Sequence, residues 1–173
     1  MLNTRSSLGG TILVALIVAT SPAAVRAQPS LAHVTGGPVL LSSVGNRDYA
    51  WQLGGGVEML SGPLGLGGGV DYVYFPEVRK TFAGGRGGSS SPAASAATAF
   101  VQGSYYFGDN VPERGERPFV NGGVTFLFES IALPMLHVAG GIDWWTTERA
   151  GFRFEVREQY PWLLSFRAGV VLR

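Results

Sequence analysis

A strict two-residue alternation near the end of the chain constrains the fold most. Residues 151–157 read Gly-Phe-Arg-Phe-Glu-Val-Arg, so large apolar side chains alternate with charged ones. Residues 164–170, Leu-Ser-Phe-Arg-Ala-Gly-Val, repeat the pattern. In a β-strand, this period places the apolar and charged side chains on opposite faces. We predict that the apolar face contacts lipid and that the charges point into a narrow closed barrel.

The composition favours a membrane barrel over a soluble sheet. Charged residues make up 14% of the chain, against roughly 25% in soluble domains. The 26 glycines are about double the usual share. After residue 27, no apolar run approaches the ~20 residues that a membrane helix needs. The sequence therefore predicts an all-β protein that crosses the membrane with strands.

The N-terminal segment has the order of parts found in a secretory signal. Arg5 precedes an apolar run at residues 12–19, and small residues end at Ala27. The run is too short to span a bilayer as a helix. We predict a signal peptide at residues 1–27 and one domain at residues 28–173, the alternative being an N-terminal anchor. The chain has no cysteine, which excludes disulfides and cysteine lipidation.

Eight segments are candidate strands, most of them about as long as the ~9–11 residues of a tilted membrane strand. Short turns at residues 61–63 and 146–149 are typical of the periplasmic side, and the Gly/Ser-rich segment 76–95 is typical of an external mobile loop. Residues 108–117 form a polar turn of unusual length for the periplasmic side. The predicted strands are residues 31–41, 49–60, 64–75, 96–107, 118–128, 134–145 and, within the stretch 150–171, residues 151–157 and 164–170.

Aromatic residues on the apolar face fall near both ends of these strands. Such belts are typical of the two membrane interfaces, although aromatics also favour strands in general. The predicted outer belt contains Tyr49, Trp51, Tyr72, Tyr74, Phe126 and Phe128, and the predicted inner belt contains Tyr105, Phe107, Trp144 and Phe152.

Residues 118–123, 139–145, 151–157 and 166–170 resemble the small outer-membrane β-barrel proteins of Gram-negative bacteria, the OmpA/OmpX-like superfamily. The resemblance implies an eight-stranded antiparallel up-and-down transmembrane β-barrel in the cell outer membrane. It also implies contact with outer-membrane lipid and help from the barrel-assembly machinery during insertion. We expect a monomer, and the net charge of +1 argues against nucleic acid as a partner.

An eight-stranded barrel has room inside only for side chains. Four acids and three bases fall on the inward face and nearly balance, as a low-dielectric lumen requires. We predict that they form a salt-bridged plug, the alternative being a gated path for ions. Inward glycines at positions 65, 67 and 69 are expected to make room for long arginines and for Trp145. The predicted lumen network is Glu58, Asp71, Asp143, Arg153, Glu155, Arg157 and Arg167.

No segment carries a catalytic pattern. His33 and His137 begin no metal or hydrolase motif, and the glycine clusters form no phosphate-binding loop. We therefore expect no catalytic residue, no metal and no cofactor. The sequence favours a structural or surface-interaction role, which includes adhesion through residues 76–95. A small ion-conducting pore and a secreted soluble barrel that binds a small apolar ligand remain as alternatives.

Overall fold

The computed structural model describes residues 30–43, 46–76, 78–81, 88–91, 93–108, 114–128, 132–160 and 163–173. The described residues contain no helix long and apolar enough to cross a membrane. The predicted signal peptide lies outside the described residues. The strands are β1 (Ser30–Ser43), β2 (Asn46–Ser61), β3 (Leu64–Phe75), β4 (Val78–Thr81), β5 (Gly88–Ser91), β6 (Ala94–Tyr106), β7 (Gly115–Phe128), β8 (Ala132–Trp145), β9 (Ala150–Gln159) and β10 (Leu163–Leu172).

Eight of these strands form a closed barrel in the order β1-β10-β9-β8-β7-β6-β3-β2. Every neighbouring pair is antiparallel, and β1 closes the barrel by pairing with both β2 and β10. Closure removes the free strand edges that an open sheet would expose. The predicted eight-stranded antiparallel up-and-down barrel is confirmed.

Side-chain alternation along the strands separates an apolar exterior from a polar lumen. In β9 the burial alternates at every residue from Gly151 to Gln159. Arg153 and Arg157 are fully buried, whereas Phe152 and Phe154 are 51% and 48% exposed. All ten residues of the two predicted aromatic belts are exposed. Because each strand follows the same period of two, the inward residues of eight strands meet in one lumen.

Two connecting segments differ from the sequence prediction. Residues 108–117 are not all turn, because β7 begins at Gly115 and Arg117 pairs with Asp143 of β8. The polar composition there indicates a turn, but the lumen of this barrel also accepts polar side chains. Within the predicted loop 76–95, β4 and β5 form a separate two-stranded sheet, and β6 already begins at Ala94.

Apolar clusters fill the lumen near both of its ends. The first cluster lies at the end that carries the N-terminus of β1 and the turn after β8. The second lies at the opposite end, where Phe75 and Leu163 pack against it. The first cluster contains Leu31, Leu60, Tyr106, Phe119, Trp145 and Val171, and the second contains Val39, Ala50 and Val73.

Candidate functional site in the barrel lumen

The seven residues predicted for the lumen network are all buried, none being more than 4% exposed. They come from five strands, β2, β3, β8, β9 and β10, and point inward by the alternation described above. The side chains fall into two groups of contacts, which we call the Arg153 cluster and the Arg167 cluster. The Arg153 cluster contains Arg153, Asp143 and Glu58, and the Arg167 cluster contains Arg167, Arg157, Asp71 and Glu155.

The Arg153 cluster is organised by a two-pronged ion pair. Arg153 donates from Nε to Oδ1 of Asp143 at 2.7 Å and from Nη2 to Oδ2 at 2.8 Å. Arg153 also donates to the Tyr106 hydroxyl at 2.9 Å and lies 3.1 Å from Nδ1 of His33. The fork geometry of a guanidinium suits a carboxylate in this way. Arg153 therefore connects an acid, a phenol and an imidazole from three other strands.

Glu58 completes the Arg153 cluster and accepts hydrogen bonds from three side chains of β6. Ser104 donates to Oε1 at 2.9 Å, Gln102 donates to the same oxygen, and Tyr106 donates to Oε2. Its nearest cation is Arg153, at 4.0 Å. Neutral donors thus supply most of the partners that a buried carboxylate needs.

The Arg167 cluster alternates acids and bases. Arg167 donates to Asp71 at 2.7 Å and to Glu155 at 3.2 Å. Arg157 pairs with Glu155 at 3.0 Å and lies 3.8 Å from Asp71. Asn121 donates to the second oxygen of Glu155 at 3.3 Å. Each acid therefore faces two arginines, so the buried charges compensate one another.

Gln102 links the two clusters. Its amide nitrogen donates to Glu58, and its amide oxygen accepts from Arg157 at 3.0 Å. Gln102 is 1% exposed. Its place on the inward face of β6 follows from the alternation, but sequence alone did not indicate that it connects two charge clusters.

Arg117 is a further lumen arginine that the sequence prediction missed. It is 1% exposed, lies 4.4 Å above the ring of Tyr106 and donates to the carbonyl of Gly62 at 3.4 Å. Its register partner in β8 is Asp143. With Arg117, the lumen holds four carboxylates and four arginines among the described residues.

Aromatic rings separate and cover the arginines. Arg153 lies 4.6 Å from the ring centre of Phe119, and Arg157 lies 4.6 Å from that of Phe100. Arg167 lies 6.0 Å from the same Phe100 ring. A guanidinium over a ring face gains a favourable cation–π contact, which offsets part of its desolvation cost. Neither phenylalanine was assigned to the lumen from sequence, although Phe100 and Phe119 have the inward parity of Gln102 and Asn121.

The inward glycines of β3 make room for other partners than those predicted. A Cβ atom on Gly67 would lie 2.4 Å from Cγ of Glu58, and one on Gly69 would lie 2.7 Å from Cζ of Phe100. A Cβ atom on Gly65 would lie 3.2 Å from the ring of Tyr106. The prediction that these glycines accommodate long arginines and Trp145 is therefore wrong. They accommodate the acid and the rings that contact the arginines.

The two histidines belong to different parts of the lumen. His33 contacts Arg153, whereas His137 lies 3.0 Å from the hydroxyl of Thr125, which also accepts from Gln159 at 3.1 Å. Within the described ranges, no three His, Asp or Glu side chains are grouped so that they could hold a metal ion.

Comparison with solved structures places the fold among small membrane barrels. The N-terminal β-barrel domain of Pseudomonas aeruginosa OprF superimposes with a TM-score of 0.57 at 16% identity, over 84% of this chain and 97% of that one. Neisserial surface protein A gives 0.55 at 11% identity, over 83% and 96%. A de novo designed transmembrane β-barrel gives 0.52 at 14% identity, over 83% and 92%.

These similarities concern the fold, because the sequence identities are low. No family model matches the chain, and no curated protein matches it. The chain nevertheless shares its closed eight-stranded architecture with natural outer-membrane barrels from two bacterial sources. The resemblance to OmpA/OmpX-like barrels is confirmed at the level of the fold.

Proposed function

We propose that the protein is an integral outer-membrane β-barrel with a structural or surface-interaction role and a lumen plugged by its salt-bridge network. The lipid-facing part of this proposal is supported by the exterior. Each of the eight barrel strands exposes large apolar side chains, far more than soluble proteins usually leave in contact with water. Representative residues, one from each barrel strand, are Val34, Trp51, Leu66, Val101, Val120, Leu136, Phe154 and Phe166.

The proposal of a plugged lumen is supported by the continuity of side-chain contacts across the lumen. The two clusters are joined through Gln102 and stack on Phe100 and Phe119. Apolar clusters lie beyond them near both ends. Because the four carboxylates are matched in number by four arginines, the network supplies no net charge that would attract a permeating ion of one sign.

The partners follow from the same surface. Outer-membrane lipid would cover the exposed apolar belt, and the barrel-assembly machinery would act during insertion. A monomer is proposed because the closed barrel offers no free edge for pairing with a second chain. We propose no nucleic-acid partner, no cofactor and no catalytic residue.

Cell fractionation with a heat-modifiability gel tests the membrane assignment. The folded protein should remain with the outer membrane after carbonate extraction, dissolve in detergent and change its gel mobility on boiling. Release by carbonate or recovery as a soluble protein would contradict the assignment. That result would favour the secreted barrel that binds an apolar ligand.

Single-channel recording in planar bilayers separates the plug from the small ion-conducting pore. The purified folded protein should show no steady conductance. Arg157→Ser, which removes a long lumen side chain, serves as the comparison, because an open path through the Arg167 cluster would widen in this variant. Steady openings of the unaltered protein, enlarged in Arg157→Ser, would support the pore and reject the plug.

Deletion of residues 78–91 separates a purely structural role from surface interaction. The deletion removes β4, β5 and the segment between them but leaves the eight barrel strands intact. The barrel should keep its heat modifiability. If bacteria that carry the deletion variant adhere less well to a surface than bacteria that carry the full protein, the interaction role is favoured. Equal adhesion would favour the structural role.

A further inference from the structure

The seam between the first and last strands is the one interrupted ladder among the described barrel pairings. The β1–β10 register runs from Ala32↔Leu172 to Gly36↔Ala168 and resumes at Val39↔Ser165. Gly37 and Pro38 therefore have no ladder partner in β10, although the same two residues pair with β2 without a break. The register continues unchanged across the gap, so this is a local loss of pairing and not a bulge.

Proline explains part of the interruption. Pro38 has no backbone N–H, so it cannot donate to a ladder, and proline usually occurs at sheet edges or bulges. Pro118 lies within the β7–β8 ladder without breaking it, because its carbonyl accepts from the Phe107 N–H at 2.9 Å, and its nitrogen therefore faces β6 and not β8. Pro118 therefore serves as a control proline whose missing N–H does not concern its pairing with β8.

The backbones remain close at the interruption. A Cβ atom on Gly37 would lie 2.0 Å from the carbonyl oxygen of Phe166, so only glycine allows this approach. On the outside, a groove of about 480 Å³ extends across β8, β9 and β10 and reaches the interruption in β1. Its lining includes Gly36, Pro38, Phe166 and Ala168. At Gly37 and Pro38, β1 and β10 are thus adjacent but unpaired, and the outer surface of the barrel is indented there.

Side chains in the lumen hold the two sides of the wall together behind the interruption. Arg167, which lies opposite Gly37 in the register, is 3% exposed and pairs with Asp71 of β3 and Glu155 of β9. The Asp71 pair ties β10 across the lumen to β3, a strand that is not its neighbour, whereas the Glu155 pair joins β10 to the adjacent β9. The seam therefore combines weakened backbone pairing with a strong side-chain clamp.

We propose that the barrel wall opens locally at this interruption and that Arg167 is the latch that keeps it closed. Opening separates Gly37–Pro38 from Phe166–Arg167 and connects the lumen with the outer groove. The clamp and the missing pairing act in opposite directions, so at Gly37 and Pro38 the closed state depends on the Arg167–Asp71 ion pair, while the ladder holds the seam on either side. The other described seams, with uninterrupted ladders, stay closed.

Hydrogen exchange of the folded protein in detergent or nanodiscs tests the proposal without any substitution. Peptides that cover residues 36–39 and 165–168 should exchange at least about tenfold faster than peptides that cover the β7–β8 seam at residues 118–124 and 136–142, because local opening sets exchange within a fold. Equal protection of the two seams would overturn the proposal.

Single substitutions test whether Pro38 and Arg167 control the local opening of the β1–β10 seam. Pro38→Val should slow hydrogen exchange at the β1–β10 seam, whereas Pro118→Val should leave hydrogen exchange at the β7–β8 seam unchanged. Arg167→Gln should accelerate exchange at residues 36–39, with Arg167→Lys between it and the unaltered protein if the glutamine variant fails to fold. No acceleration in the lysine variant, together with no slowing in Pro38→Val, would reject the latch.

A disulfide lock supplies the converse test, because the chain has no cysteine of its own. Leu40→Cys with Leu164→Cys joins two directly paired residues beside the interruption, and Val124→Cys with Leu136→Cys joins a comparable pair in the β7–β8 seam. Paired strand residues have the separation that a disulfide needs. Oxidation should slow exchange about tenfold at the first seam and little at the second. Equal effects at both seams would contradict the proposal.

Discussion

The two faces of the barrel wall are built by the same strands but depend on different interactions. On the outer face, side chains such as Phe154 and Leu136 are about half or more exposed, and bilayer lipid would surround them without specific partners. On the inner face, Arg153 and Glu58 are buried, and each has named partners at hydrogen-bonding distance. The outer face should therefore tolerate any apolar side chain but no charge. The inner face should tolerate loss of a charge only when its partner is removed too.

The largest expected effect is the removal of one partner from a buried inner ion pair. Arg153→Met leaves Asp143 without its two-pronged partner, so the free energy of unfolding should fall by about 3–5 kcal/mol. Denaturant unfolding in detergent micelles or vesicles measures the loss. The double variant with Asp143→Leu should recover much of it, because no unpaired charge remains. A double variant as unstable as the single one would show that the pair acts through packing and not through charge.

A charge on the outer face should have the next largest effect. Phe154→Arg places a cation in the apolar belt and should lower the free energy of unfolding in lipid by about 2–4 kcal/mol near the bilayer midplane. Phe154→Leu, which keeps the position apolar, should change it by less than about 1 kcal/mol. If both variants unfold like the unaltered protein, Phe154 does not face lipid, and the register of β9 is wrong.

Substitutions at Gln102, which faces the lumen, and at its neighbour Val101, which faces outward, compare the two faces at adjacent positions. Gln102→Leu removes the hydrogen bonds to Glu58 and Arg157 and should lower the free energy of unfolding by about 1.5–3 kcal/mol. Val101, which is 56% exposed, should accept leucine with almost no change. The same denaturant titration measures both variants. Equal stabilities would mean that the two charge clusters are independent of Gln102.

Glycines test the same contrast between the faces with the smallest single destabilisation. An added Cβ on Gly69 would lie 2.2 Å from the carbonyl oxygen of Gly55 and close to Phe100, whereas one on the outward Gly103 would meet nothing within 4 Å. Gly69→Ala should therefore destabilise the barrel by about 1–3 kcal/mol. Gly103→Ala should be neutral or stabilise it by about 0.4–1 kcal/mol, through the unfolded chain. A stable Gly69→Ala variant would mean that the inner wall has more room than the contacts indicate.

The face that each residue occupies could be predicted from the sequence, because period-two alternation is a local property. It correctly assigned Phe152 to the exterior and Arg153 to the lumen, and β3 has the bounds that were predicted. Arg117 was missed because a polar segment next to glycine has the composition of a turn, whether or not a strand continues into it. The β4–β5 sheet was missed because its two short strands lie in a segment rich in glycine and serine, and glycine is depleted from strands in general.

The partners inside the lumen could not be predicted from the sequence. Which base meets which acid depends on the stagger between strands, which no single strand encodes. Arg167 thus reaches Asp71, 96 residues away in the chain. The stacking of Phe100 under two arginines could not be predicted either, because it needs the three-dimensional arrangement of β6, β9 and β10. The interruption at Gly37 and Pro38 is likewise a property of a pair of strands and not of β1 alone.

Two adjacent tryptophans test most directly whether the outer face meets lipid while the inner face is shielded from it. Trp144 is 51% exposed, and Trp145 is 1% exposed and lies within the lumen. Two single-tryptophan proteins, made by replacing the other three tryptophans with phenylalanine, are reconstituted into vesicles of lipids with brominated acyl chains. We predict strong quenching of Trp144 fluorescence and little quenching of Trp145. Equal quenching of the two, or stronger quenching of Trp145, would contradict the assignment of the two faces.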